Sequence, residues 1–124
     1  MQVAEMVQAA RAAVEDLSVD EVAAELERDD VVLVDVREPT EVADGRIPGA
    51  IAVPRGMLEF NADPSSPLHL DGLHPERRVI LYCRSGARSA LAATALASLG
   101  YTDVAHLGGG IQAWVDAQRP TARS

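Results

Sequence analysis

Apolar positions along this chain change period several times, and each change marks an element. Val3, Met6, Val7, Ala10 and Val14 fall at the i, i+3, i+4, i+7 spacing of an amphipathic helix, expected to pack on its own domain. Val14 to Leu17 reads as a short strand. Ser18 then reads as an N-cap, with Glu21 completing a capping box, and Val22, Ala23 and Leu26 carry that helix towards Asp29-Asp30. Val31-Val32-Leu33-Val34-Asp35-Val36 is a β-branched apolar run, the pattern of a strand covered on both faces. Pro39 suits the first turn of a short helix that runs through Ala43. Arg46-Ile47-Pro48-Gly49-Ala50 reads as a turn, Ile51-Ala52-Val53 as a brief strand, and Pro54 to Phe60 as containing a helical turn.

Residues 61–75 are rich in Pro, Ser, Asp and Gly and read as a surface loop. Val79 to Tyr82 predicts a strand, and Ala87 to Leu99 a helix stopped by Gly100. Thr102 to His106 predicts a strand, Gly108-Gly109-Gly110 a flexible turn, and Ile111 to Gln118 the last helix. Pro120 to Ser124 reads as a frayed tail. Strands alternating with helices at short intervals predict an α/β domain on a mainly parallel sheet, with its site beyond the carboxyl ends of the strands. Cys83 follows directly on one strand and Asp35 and Arg37 end another, so the two strand ends can share a crevice.

A chain of 124 residues suits one domain with one core. A formal net charge of −8 argues against a nucleic-acid partner and requires local positive charge to draw in any anionic substrate. All 11 basic residues are arginine, so no lysine can form a Schiff base. The lone cysteine can neither form an internal disulfide nor be resolved by a second thiol in the chain. The start carries no basic region followed by an apolar block, and no segment is apolar enough to span a membrane. A cytoplasmic location is therefore expected, with no membrane association. No Cys or His pair has metal-ligand spacing, so neither metal nor cofactor is expected.

The candidate chemistry gathers at Tyr82-Cys83-Arg84-Ser85-Gly86-Ala87-Arg88-Ser89. A thiol in a short loop between a buried strand and a helix N-terminus is placed where the thiolate is favoured. Gly86 and the small residues Ser85, Ala87 and Ser89 allow the loop to curl its N–H groups inward as an anion nest. Arg84 and Arg88 supply fork-shaped donors for an oxyanion. An inert core cysteine is the commoner reading of a lone thiol, and this setting reverses it.

Four motifs in order then identify a resemblance: Asp35-Val36-Arg37-Glu38; Gly45-Arg46-Ile47-Pro48-Gly49-Ala50; Cys83 to Ser89; and Gly109-Gly110-Ile111 with Trp114. The chain resembles a single-domain rhodanese, a sulfurtransferase, over residues 14–118. Residues 1–13 form an N-terminal helical extension and residues 119–124 a C-terminal tail. The resemblance implies a five-stranded, mainly parallel sheet with helices on both faces. It also implies that Cys83 attacks the outer sulfur of thiosulfate, or takes sulfur from another sulfane donor. The resulting persulfide would pass to cyanide or an external thiol. Backbone N–H groups from Arg84 through Ser85, Gly86, Ala87 and Arg88 to Ser89 would hold the persulfide, and Arg84 and Arg88 would steer the anionic donor. A monomer or weak dimer is expected.

Two alternatives stand beside that reading. One is a low-turnover persulfide carrier or partner-docking module, suggested by the N-terminal helix. The other is a phosphatase or arsenate reductase on the same fold, which the C-x4-R spacing disfavours because related phosphatases use C-x5-R. Asp35 and Arg37 read either as support for the Cys83 loop or as a structural ion pair or cap. Glu38 and Glu41 read as ordinary acidic residues of a first helical turn, and Trp114 as a packing anchor. His69, His74 and His106 read as surface or turn histidines.

Overall fold

The computed structural model describes residues 1–123. Five strands form one sheet: β1 (Glu15–Leu17), β2 (Val31–Asp35), β3 (Ile51–Ala52), β4 (Arg78–Tyr82) and β5 (Val104–Leu107). Their order is β1-β5-β4-β2-β3, and every pairing is parallel. Six helices accompany them among the described residues: α1 (Val3–Ala13), α2 (Val19–Glu25), α3 (Pro39–Ala43), α4 (Leu58–Ala62), α5 (Ala87–Ser98) and α6 (Gly110–Asp116), with a 3-10 turn at Arg55–Met57 before α4.

The period-2 pattern of the central strands divides the core in two. Val32 and Val34 of β2 and Val79 and Leu81 of β4 face Leu58, Ala92, Ala93 and Leu96 of α4 and α5. Leu33, Ile80 and Tyr82 face the opposite way, onto Val22 of α2 and Ile111 and Trp114 of α6. Both faces of the parallel sheet are thereby covered by helices, as such sheets require. The capping box expected at Ser18 is present: Glu21 N donates to Ser18 Oγ at 3.2 Å, and Ser18 N to Glu21 Oε1 at 2.9 Å.

Helix α1 and residues 120–122 are both tied down. Helix α1 lies along α5 with Ala10 buried between them. The tail departs from the frayed end expected for Pro120 onwards. Arg46 N donates to Ala122 O and Ala122 N to Arg46 O, each at 2.8 Å, forming an antiparallel bridge. Trp114 Nε1 donates to Pro120 O at 2.8 Å, so the ring that anchors α6 also holds the tail. The expectation for Ser124 lies outside the described residues. No helix among the described residues is long and apolar enough to cross a membrane.

Candidate active site

Strand β4 ends at Tyr82 and places Cys83 at its carboxyl end, 1% exposed. The chain then turns through Arg84 and Ser85 to Gly86, whose φ of +104° is left-handed and suits glycine. Helix α5 begins one residue later. The carbonyls of this loop are taken up from outside. Ile111 N donates to Cys83 O at 2.9 Å and Gln112 N to Arg84 O at 3.1 Å, both from the first turn of α6. Arg11 of α1 donates to Ser85 O at 2.9 Å and to Gly108 O at 3.3 Å. Gly86 O accepts from Ala90 N at 3.1 Å.

With its carbonyls held outward, the loop turns N–H groups onto the sulfur. Gly86 N donates to Cys83 Sγ at 3.1 Å and Ser89 N at 3.4 Å, and Ser89 Oγ lies 3.7 Å away. Burial, the largest influence, pushes the Cys83 thiol up. The Ser89 N–H and hydroxyl, with the N–H groups of Gly86 and Ser85, outweigh it and leave the thiol below its ordinary value. The short-range donors of the loop are thus the main groups that favour the thiolate, and the positive charge of Arg88 acts in the same direction.

The two arginines differ. Arg88 gives Nη1 and Nη2 to the two oxygens of Glu41 at 2.8 and 2.9 Å. Hydrogen bonding to Arg88 holds the Glu41 carboxyl down at about 2. Glu41 is thus no ordinary first-turn residue but the clasp between α3 and the Cys83 loop. Arg84 is exposed, and its side chain makes no hydrogen bond or ion pair among the described residues. It borders a cleft of about 310 Å³ whose other walls include Glu41, Gln112, Val115 and Thr121. Ala87 completes the loop as the first residue of α5.

Asp35 is fully buried and accepts from Arg37 N, Nε and Nη2 at 2.8–3.2 Å. Arg37 Nη2 also donates to Gly45 O at 2.7 Å, and the guanidinium lies 5.8 Å from the Tyr82 ring centroid. Tyr82 Oη accepts from Ile47 N at 3.0 Å. This pair fixes the Gly45–Ile47 turn against the ends of β2 and β4. Among the described residues it makes no hydrogen bond to the Cys83 loop.

Two features depart from the sequence reading. Gly108-Gly109-Gly110 is a packed corner and not a flexible turn: Gly108 and Gly110 are buried, and a Cβ at Gly110 would overlap the Arg84 carbonyl. His106 is not a surface or turn histidine. It is fully buried on β5, with Nδ1 2.8 Å from Ser89 Oγ. The available signal was its place inside an apolar strand run. His69 is half-buried with Nε2 against Leu73 O at 2.5 Å, and His74 is exposed. No cluster among the described residues could hold a metal ion.

A cysteine cradled by N–H groups at the carboxyl end of the fourth strand, with the matching motifs around it, agrees with a profile of the rhodanese-like domain over residues 18–117. The chain belongs to the rhodanese-like domain family. It is 42% identical over 86 residues to a sulfurtransferase of Allochromatium vinosum, covering 69% of this chain and 73% of that one. It is 37% identical over 90 residues to the probable adenylyltransferase/sulfurtransferase MoeZ of Mycobacterium tuberculosis, covering 73% of this chain but 21% of that longer one. The structure of a Rhodopseudomonas palustris protein of unknown function, described as a possible tyrosine phosphatase, superposes with a TM-score of 0.91. It is 39% identical, with 98% of this chain and 95% of that one covered. Relatives named sulfurtransferases thus match this chain at 37% and 42% identity.

Proposed function

We propose that this protein is a thiosulfate sulfurtransferase working through a Cys83 persulfide. The observation that carries the reading is the Cys83 sulfur accepting N–H donors from Gly86 and Ser89 inside a closed loop. The thiolate attacks the outer sulfur of thiosulfate. A new S–S bond forms, the old S–S bond breaks, and its electron pair leaves with sulfite. Cyanide or an external thiolate then attacks the terminal sulfur and restores the Cys83 thiolate. The donors around Sγ suit a persulfide anion as well as a thiolate. Arg84, the exposed cation beside the cleft, draws in the dianionic donor. Arg88 supports the loop through Glu41 and adds positive charge behind it. A reducing compartment such as the cytoplasm fits a chain whose only thiol must stay free.

Thiosulfate added to the purified protein is expected to raise its mass by one sulfur atom, and cyanide to remove it. The gain disappears in Cys83→Ser, and a gain that persists there overturns the reading. The Rhodopseudomonas palustris relative, described as a possible tyrosine phosphatase, suggests the rival, hydrolysis of an aryl phosphate. The four-residue spacing between Cys83 and Arg88 makes a ring fitted to sulfur, and phosphatase activity lost in Cys83→Ser without sulfur loading would favour that rival.

A further inference from the structure

The buried polar group that the sulfur cradle leaves unexplained is the His106 imidazole. Its Nδ1 lies 2.8 Å from Ser89 Oγ. Its Nε2 is buried without a hydrogen-bond partner, 4.0 Å from Oδ1 of Asp16. Asp16 stands opposite His106 in the β1–β5 register and is 64% exposed at its side chain. Gly108 allows this approach, since a Cβ there would overlap the Asp16 carboxylate. Ser89 Oγ in turn lies 3.2 Å from Gly86 O and 3.7 Å from Cys83 Sγ. A chain of polar atoms therefore runs from the buried sulfur through Ser89 and His106 to an exposed carboxylate on the edge strand.

Burial holds His106 below its ordinary pKa. Asp16 on β1 opposes that shift and Arg11 on α1 adds to it. The ring is neutral at neutral pH and carries one proton, which sits on one nitrogen or the other. A hydroxyl has one proton to donate. When Ser89 donates to Nδ1, it has none for the sulfur. When Nδ1 carries the proton and donates to Ser89 Oγ, the hydroxyl is left to Gly86 O at 3.2 Å or to Sγ at 3.7 Å, and a negative charge on sulfur favours Sγ.

We propose that His106 is a positioning residue that reverses the Ser89 hydroxyl as Cys83 ionises, with Asp16 as the outlet for the proton. The proposal rests on Cys83 working as a thiolate. In the thiol state the S–H faces Ser89 Oγ, the Ser89 hydroxyl donates to Nδ1, and Nε2–H faces Asp16. On ionisation each proton moves one place. The thiol proton passes to Ser89 Oγ, the former hydroxyl proton to Nδ1, and the Nε2 proton to the Asp16 carboxylate and then to water. The exposed Asp16 side chain closes its gap to Nε2 by rotation. The S–H electron pair stays on sulfur, and nothing is oxidised or reduced. At the end Nδ1–H donates to Ser89, whose hydroxyl donates to the thiolate.

The decisive measurement is the ¹⁵N spectrum of histidine-labelled protein across the Cys83 titration, with the titration followed by the pH dependence of iodoacetamide alkylation. The His106 tautomer is expected to change from Nε2–H to Nδ1–H at the alkylation midpoint. His106→Leu and Ser89→Ala are each expected to raise that midpoint, and alkylation below it falls about tenfold for every pH unit by which the midpoint rises. The double variant goes no further than the larger single one. His106→Asn, which can donate or accept at the Nδ1 position, restores most of the loss. Asp16→Asn lowers the midpoint. One tautomer on both sides of the midpoint overturns the proposal, as does a folded His106→Leu with an unchanged midpoint. The spectrum of the unsubstituted protein decides the matter even if His106→Leu does not fold. Sulfur loading is read separately by mass. A tautomer change without loading would reject the thiosulfate reading and leave this one standing.

Discussion

Arg88 and Glu41, 47 residues apart, close a two-pronged ion pair that ties α3 to the Cys83 loop at 2.8 and 2.9 Å. Its pH dependence follows from the Glu41 carboxyl, held at about 2 in the folded chain against an ordinary value of 4.5. A carboxylate whose folded value is the lower one stabilises the fold fully above the unfolded value. That contribution fades as pH falls from about 4.5 towards 2. Thermal melts between pH 6 and pH 2.5 are expected to show a steeper acid loss in the parent protein than in Glu41→Gln, which lacks the titrating group. Parallel melting curves would count against the clasp.

In the proposed reaction Arg84 serves binding and Arg88 serves support. Arg84→Ala is expected to raise KM for thiosulfate about tenfold, the equivalent of roughly one charge-assisted hydrogen bond, with kcat little changed. Arg88→Ala removes the partner of Glu41 and the tie between α3 and the Cys83 loop, so it is expected to lower kcat and thermal stability together. Steady-state kinetics with a cyanide acceptor, paired with melting curves, distinguishes the two patterns.

Arg11 makes the N-terminal helix part of the loop's scaffold. Its guanidinium caps the carbonyls of Ser85 and Gly108, and these caps help keep the loop's N–H groups turned inward. Arg11→Ala is expected to cost about 1 kcal/mol in urea unfolding, because the donor is exposed and water replaces it in part. It should also raise the pH midpoint of Cys83 alkylation. Arg11→Ala with an unchanged midpoint would reduce α1 to a packing element.

The Asp35–Arg37 pair is buried, 0% and 7% exposed at its side chains. Removing one partner strands the other charge, so Arg37→Met is expected to cost about 3–5 kcal/mol by denaturant unfolding. Asp35→Leu/Arg37→Met is expected to recover part of the loss. A double variant no better than the single would show that Arg37 matters for its bond to Gly45 O instead.

Much of the fold was legible because it is local. The β-branched run at Val31 and the Ser18–Glu21 box state their elements within a few residues, and the spacing from Cys83 to Arg88 states the loop. What was not legible depends on partners far along the chain. The pairing of Glu41 with Arg88 exists only once α3 and α5 meet, so a first-turn glutamate looked ordinary. Arg11 bears on the loop only because α1 packs on α5. His106, the last residue of its expected strand, reads from sequence as a surface or turn histidine, whereas β5 runs on to Leu107 and the ring is buried. The triple glycine looked flexible because its lack of side chains serves close approach here, at the Arg84 carbonyl and the Asp16 carboxylate. The tail looked free because its hold, a bridge to Arg46 and a bond to Trp114, has no sequence periodicity.

Trp114 is the only tryptophan, and it stands one helical turn beyond Ile111, whose N–H binds the Cys83 carbonyl. The chain therefore carries its own optical reporter. Any movement of the loop that tugs on the first turn of α6 is felt by a single buried indole, so emission excited beyond the tyrosine absorption has one source. The proposed loading and unloading of the sulfur are therefore expected to be timed by fluorescence in a stopped-flow instrument, with no dye attached and no residue changed.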